Sequence, residues 1–256
     1  MAKETGDLPN SANLCVLCGS NHHMASQHTG FDDYAANYDA ALAQGLAVSG
    51  EDKTYFAQGR VAWLAKCVER LGERPRTVLD FGCGTGTATP YLFDLLKVES
   101  VVGVDVSAKS VELARQNHGS EHTRFLSFTE YQPAGEIDVV YCNGVFHHVP
   151  LHERAAAIDY VHRSLRPGGW FALWENSPWN PGTRYVMSRI PFDRDAILLS
   201  PPEARRLVER GGFEVVRTDF LFIFPHALSW LRWIEPRVAK LPLGAQYQVL
   251  CRKRGG

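Results

Sequence analysis

An acid followed by three bare backbone positions, Asp80 with Gly82, Gly84 and Gly86, opens the chemistry of this chain in the stretch TVLDFGCGTG over residues 77–86. Apolar Val78, Leu79 and Phe81 predict a short buried strand, and the glycines let the backbone turn sharply and lie directly against a ligand. Asp80 falls at the strand's end, and ligands dock at the carboxyl ends of strands in an open α/β sheet. The spacing is GxGxG, and Thr87 stands where the last glycine of a dinucleotide fingerprint belongs. A carboxylate at that point repels a diphosphate but stabilises the ammonium of an amino acid. Asp105 closes the next strand, where an acid accepts hydrogen bonds from ribose hydroxyls. A ligand carrying both an amino acid and a nucleoside satisfies the two acids, and S-adenosylmethionine is such a ligand.

The elements that hold these residues come from an ordinary globular composition. The chain has 256 residues, 45% of them hydrophobic, with 27 Lys and Arg against 28 Asp and Glu and a formal net charge of −1. That is enough to bury a full core in one large domain with appendages. The near balance of charge gives no basic footprint for nucleic acid. The N-terminus is polar and no apolar run approaches the ~20 residues of a membrane span, so a cytoplasmic location is expected. Six scattered cysteines do not form a disulfide framework and fit a reducing compartment. Cys15 and Cys18 have zinc-ligand spacing, with His22, His23 and His28 nearby, but no second cysteine pair follows. Residues 1–30 are therefore read as an N-terminal arm that either carries a structural zinc or is loosely packed.

Residues 51–71 place Phe56, Val61, Leu64, Val68 and Leu71 near one helical face, which predicts a helix covering the sheet. Tyr34, Tyr38, Tyr55 and Arg60, on this helix and on FDDYAANYD before it, either reach over the cofactor or serve as packing and surface residues. Helices over 89–96, 108–117 and 151–165 alternate with strands over 100–106, 123–127, 137–142 and 170–174, a pattern that predicts a doubly wound parallel sheet. A helix and two closing strands follow after residue 200. Between those strands, HALSWLRWIEPRVAKLP is read as a core-facing amphipathic helix in preference to an interfacial one. Residues 175–200 are rich in Pro and Gly, which break regular structure, yet too apolar for a linker; they are read as a substrate-covering insertion.

VLDFGCGTG, VVGVDVS, IDVVYCNGVFHHV and LRPGGWFALWE together resemble the successive motifs of class I S-adenosylmethionine-dependent methyltransferases, over residues 78–175. The resemblance implies a seven-stranded, mostly parallel α/β sheet within residues 31–256. It implies that Asp80, Gly82, Cys83, Gly84 and Gly86 line the methionine portion and that Asp105 and Val106 hold the ribose. Where the family often has an acid and a small residue near adenine, this chain has Phe128 and Thr129; Phe128 either stacks on the base or belongs to the core. Asn143, Gly144, His147 and His148 follow the fourth strand, beside the reactive methyl.

Methyl transfer from a sulfonium is an in-line displacement that needs alignment, a dry pocket and sometimes a base. His147 is the first candidate for that base and His148 the second; the pair can equally be a turn and packing element, and a carboxylate acceptor needs no base. Glu175, Asn176, Trp179, Arg184 and Tyr185 are the acceptor-side candidates, Arg184 being able to pair with an acidic group. The apolar insertion and the balanced charge favour a small-molecule acceptor, methylated at oxygen or nitrogen. A nicotinamide-dependent oxidoreductase and a non-catalytic cofactor-binding partner protein are the alternatives.

Overall fold

The computed structural model describes residues 44–190 and 196–255. The Cys15, Cys18, His22, His23 and His28 cluster, Tyr34 and Tyr38 lie outside them. Among the described residues, no group of three or more His, Cys, Asp or Glu could hold a metal ion.

Strand β1 (Thr77–Phe81) runs parallel between β2 (Ser100–Asp105) and β4 (Ile137–Asn143). The sheet continues through β3 (Thr123–Ser127) on one side and β5 (Leu165–Asn176), β7 (Gln246–Lys253) and β6 (Phe213–Leu221) on the other, giving the order β3-β2-β1-β4-β5-β7-β6. β7 is antiparallel to both of its neighbours. The inner strands are continuous apolar runs because both faces are covered. One face carries Leu79, Phe81, Ile158, Val161, Phe171 and Phe213. The other carries Trp63, Leu64, Val78, Leu92, Trp174 and Leu250. Successive strands step away from β1 toward β3 and from β4 toward β5, so the chain reverses direction between β1 and β4. The carboxyl ends of those two strands, with Asp80 and Asn143, therefore border the crevice where open sheets take their ligands.

Helix α1 (Lys53–Arg70) starts where the Asp52 carboxylate accepts the Tyr55 N–H at 2.8 Å and buries Arg60, Val61, Trp63, Leu64, Cys67 and Val68. α2 (Thr89–Leu96) and α3 (Ala108–His118) are the crossovers after β1 and β2, and α4 (Arg154–Ser164) is the one between β4 and β5. α6 (Pro201–Arg210) begins with a capping box of Ser200 and Glu203.

Three local expectations are corrected. β5 reaches back through the turn RPGG and forward to Asn176, so the segment beyond it starts two residues later than anticipated. That segment is not irregular throughout: Asn180 caps α5 (Pro181–Arg189) by accepting the Thr183 N–H at 3.0 Å, with Pro181 in the first turn where its missing N–H costs nothing. The third correction concerns HALSWLRWIEPRVAKLP, which is not a core-facing α-helix. It forms a 3₁₀ helix over His226–Ile234, kinked at Leu228, then a single turn α7 (Glu235–Val238), and none of the 3₁₀ residues is buried. A stripe built on 3.6 residues per turn has no meaning at three residues per turn, where positions i and i+3 eclipse.

Asp219 on β6 ties this framework together. Its fully buried carboxylate accepts the Trp63 indole N–H of α1 at 3.1 Å, the Arg217 guanidinium, and the Lys240 ammonium at 2.8 Å. Burial alone would raise its pKa, but the hydrogen bonds from Arg217, Lys240 and Trp63 outweigh that and hold it below the ordinary carboxylate range. Its contribution to stability is therefore complete above the unfolded-state pKa of about 4 and disappears as pH falls through the lower folded-state value. Asp219→Ala is expected to lower unfolding free energy by about 2–4 kcal/mol at neutral pH, the cost of orphaning buried donors. Urea titrations at neutral and strongly acidic pH check this, since the gap to the parent protein should close in acid.

Candidate active site

The glycine turn after β1 is held by β2. The Gly82 and Cys83 N–H groups both donate to the Val104 carbonyl, at 2.8 and 3.0 Å. Gly82, Gly84 and Gly86 all lie in the left-handed region, with φ of +75°, +52° and +79°. Their surroundings differ. A Cβ at Gly82 would meet Val145 Cγ2 at 2.3 Å and one at Gly86 would meet His118 Cδ2 at 2.8 Å, whereas nothing lies within 4 Å of a Cβ at Gly84. The loop thus packs at its two ends and opens in the middle. Asp105 braces it, accepting the Gly84 N–H at 2.8 Å and the Ser107 N–H at 2.9 Å.

Asp80 lies buried beneath this loop. Burial, together with the negative charge of Asp105, pushes its carboxyl up to about 7, and the Arg60 guanidinium offsets only part of that. A buried acid so placed gains most from an added cation. The Cys83 thiol is driven well above its usual range by burial and then by the same two acids, which keeps it a neutral packing group. Val106 is exposed beside Asp105. Phe128 stands edge-on to Phe81 and Tyr160, with centroids 4.8 and 5.5 Å away, and is only partly buried. The Thr129 hydroxyl lies 3.0 Å from that of Ser127.

Beyond the ends of β4 and β5 is a cavity of about 450 Å³. Asn143, Gly144, His147, His148, Asn176 and Arg60 are among its lining, and Tyr55, Phe56, Met187 and Phe222 supply apolar wall. Arg60 is buried, donating to the Tyr141 hydroxyl at 3.1 Å and to Gln246 Oε1 at 3.0 Å, and Gln246 in turn donates to Asn176 Oδ1 at 3.1 Å. His147 Nδ1 lies 2.6 Å from Glu175 Oε2, and Glu175 Oε1 accepts the Phe146 N–H at 2.8 Å. Both side chains are almost wholly buried. With the Glu175 carboxylate accepting the Nδ1 proton, Nε2 is left as the acceptor nitrogen of the ring, the arrangement of an oriented general base. The His148 ring is tilted against it, with centroids 4.2 Å apart.

This geometry places several of the acceptor-side candidates away from the cavity. Glu175 does not line the cavity; its carboxylate is spent on His147 and Phe146. Trp179 is 49% exposed and stacks on Phe220 away from the cavity. Arg184 and Tyr185 are on the solvent side of α5, where the Tyr185 hydroxyl accepts from Arg189. The helix decides this: Thr183, Val186, Met187 and Ile190, at the i, i+3, i+4, i+7 positions, face the cavity, so 184 and 185 face out. That stripe is present in the sequence and was available to periodicity. Gln246 was not, because only the antiparallel register of β5 with β7 brings it opposite Asn176.

Residues 79–171 match the family model of a methyltransferase domain. The trans-aconitate 2-methyltransferase of Rhodopseudomonas palustris is 35% identical over 175 residues, which cover 63% of this chain and 68% of that enzyme. This chain belongs to the class I S-adenosylmethionine-dependent methyltransferases. The trans-aconitate 2-methyltransferase of Azoarcus is 31% identical over 115 residues, and the match spans 45% of that relative's length. The solved S-adenosylmethionine-dependent methyltransferase of Archaeoglobus fulgidus, at 14% identity, superposes with a TM-score of 0.56 over 75% of this methyltransferase and 94% of its own chain, a likeness of fold. Membership decides against the nicotinamide alternative and for an enzyme. The family's cofactor fits the residues present: a glycine loop open at Gly84, and a buried carboxylate in need of a cation.

The unequal surroundings of the glycines give a direct test. Gly82→Ala is expected to cost about 2–4 kcal/mol of stability, strained backbone plus a clash with Val145, whereas Gly84→Ala should cost only about 1 kcal/mol. Chemical denaturation of the two variants side by side measures the difference.

Proposed function

We propose that this methyltransferase transfers a methyl group to an oxygen or nitrogen of a small-molecule acceptor held in the cavity, with His147 as the general base. Bound S-adenosylmethionine supplies an electrophilic methyl group on a sulfonium. Asp80 holds the amino-acid ammonium, Asp105 accepts from the ribose hydroxyls with Val106 beside it, and the loop of Gly82, Cys83, Gly84 and Gly86 lets the ligand approach the backbone. Phe128 and Thr129 border the base, Phe128 offering its ring face. Arg60, Asn143 and Gly144 separate this side from the acceptor. As the acceptor atom gains the methyl group, its proton passes to His147 Nε2, and the Glu175 carboxylate stabilises the imidazolium that forms. α5, with Asn176 behind it, closes the acceptor side and excludes water.

The observation that carries this reading is His147 on the cavity wall, paired with Glu175 buried behind it. A carboxylate acceptor has no proton to lose at neutral pH and gives such a pair nothing to do, whereas a hydroxyl or amine does. The charge of the cavity agrees. Among the described residues its Lys and Arg lining is Arg60, already engaged by Tyr141 and Gln246, and Lys53. That is a poor match for the polyanionic acceptor named in two relatives.

His147→Ala is expected to lower turnover by about 100-fold or more with cofactor affinity retained, and Glu175→Gln to cause a smaller loss with a shifted pH profile. Release of S-adenosylhomocysteine from a panel of phenols, alcohols, amines and carboxylic acids measures both; turnover of carboxylic acids alone, undiminished in His147→Ala, would exclude the base. Asp80 gives an independent pH prediction. A cation bound beside it lowers its pKa, so affinity for S-adenosylmethionine should be greatest above about pH 7 and fall by up to about tenfold per pH unit below it. Calorimetry across this range should show proton release on binding below pH 7, and Asp80→Asn should flatten the profile.

A further inference from the structure

The segment that failed to enter the core lies against the rim of the cavity. Ile223, Phe224 and Pro225, which line the cavity, lead directly into the 3₁₀ helix. Arg232 anchors that helix back on the rim, donating to Glu51 at 2.7 Å and lying 4.5 Å over the Tyr55 ring. Three residues per turn place Trp230 and Trp233 on one face. They are 69% and 66% exposed, and Leu228, Leu241 and Leu243 are exposed as well. Scattered exposed apolar side chains are ordinary, but five within residues 228–243, two of them indoles, are a local concentration.

The charge of this stretch is one-sided. Arg237, 5.3 Å over the Trp233 ring, is exposed, Lys240 is spent on Asp219, and Glu235, the one acid in residues 226–243, is buried and accepts the Ile223 and Phe224 N–H groups. An enzyme of net charge −1 therefore presents a local apolar and cationic surface beside its acceptor cavity. No helix among the described residues is long and apolar enough to cross a membrane. Indoles favour the depth of lipid headgroups, and exposed cations favour anionic ones.

We propose that residues 226–243 dock this methyltransferase on the surface of an anionic bilayer, with Trp230 and Trp233 entering the headgroup layer, Arg237 beside lipid phosphates, and the cavity mouth turned toward the membrane. The lack of an exposed acid within residues 226–243 and the pair of indoles favour lipid over a protein partner. Docking does not depend on the role given to His147, so either assignment can fail alone.

The test is co-sedimentation of the full chain with vesicles of phosphatidylcholine alone or mixed with phosphatidylglycerol. The wild type should sediment with the mixed vesicles and less so as salt is raised. Trp230→Ser with Trp233→Ser should reduce partitioning by about tenfold or more, and Arg237→Glu should weaken binding to mixed vesicles selectively. Because no residue of His226–Ile234 is buried, the double variant should keep the parent's melting temperature and S-adenosylmethionine affinity. A wild type that stays in the supernatant, as would follow if residues 1–43 or a second copy covered this stretch, overturns the proposal. So does a double variant that partitions undiminished, or a wild-type dimer that the double variant turns into monomers.

Discussion

Burying a carboxylate is costly unless a partner is supplied, and two acids at the ends of parallel strands in this enzyme meet that constraint in opposite ways. Glu175, at the end of β5, is satisfied from within: one oxygen takes the backbone N–H of Phe146 and the other the ring of His147. Asp80, at the end of β1, is not, and its carboxyl rises to about 7 under burial and the charge of Asp105. In the mechanism proposed above, the first acid fixes a proton acceptor in place and the second leaves a deficit that a cationic ligand removes. The two acids are distinguished by where the compensating group comes from.

The sheet makes this division. Because the strand order turns back between β1 and β4, the backbone after Phe81 and the backbone after Asn143 diverge and leave a crevice between them. The glycine loop is pinned to β2 through Val104 and Asp105, so its open middle at Gly84 is a fixed feature and not a loop free to collapse. On the other side, β7 enters antiparallel next to β5 and brings Gln246 opposite Asn176, joining the cavity floor to Arg60 of α1. Helix α1, strand β7 and helix α5 thus meet at the cavity, although more than 100 residues separate the first from the others in sequence.

Apolar surface tells a related story. Where a sheet face is available, the chain covers it with α1, α2, α4 and α6, and their stripes are buried. The stretch at 226–243 comes after those faces are filled. Its indoles have no interior left to enter and stand outside, at the rim of the same cavity.

Local chemistry fixed much of this protein before any folding was considered. The run of apolar strands and intervening helices, the acid before three glycines, and the acid closing β2 follow from steric freedom, burial and spacing along a few consecutive residues, and they were legible one after another. His147 was legible as a residue type suited to proton transfer. Its partner was not, because Glu175 reaches it only across the β4–β5 pair, and a carboxylate at the end of a strand reads equally well as a ligand for substrate. Arg184 and Tyr185 looked like acceptor contacts until the helix phase of α5 turned them outward, and Trp179, just before that helix, stacks on Phe220. Trp230 and Trp233 looked like core until three residues per turn replaced 3.6. Sequence determines what each short stretch prefers; only tertiary structure decides which side chains, distant in the chain, share one dry pocket, since that depends on strand register and helix phase and on which faces are already covered.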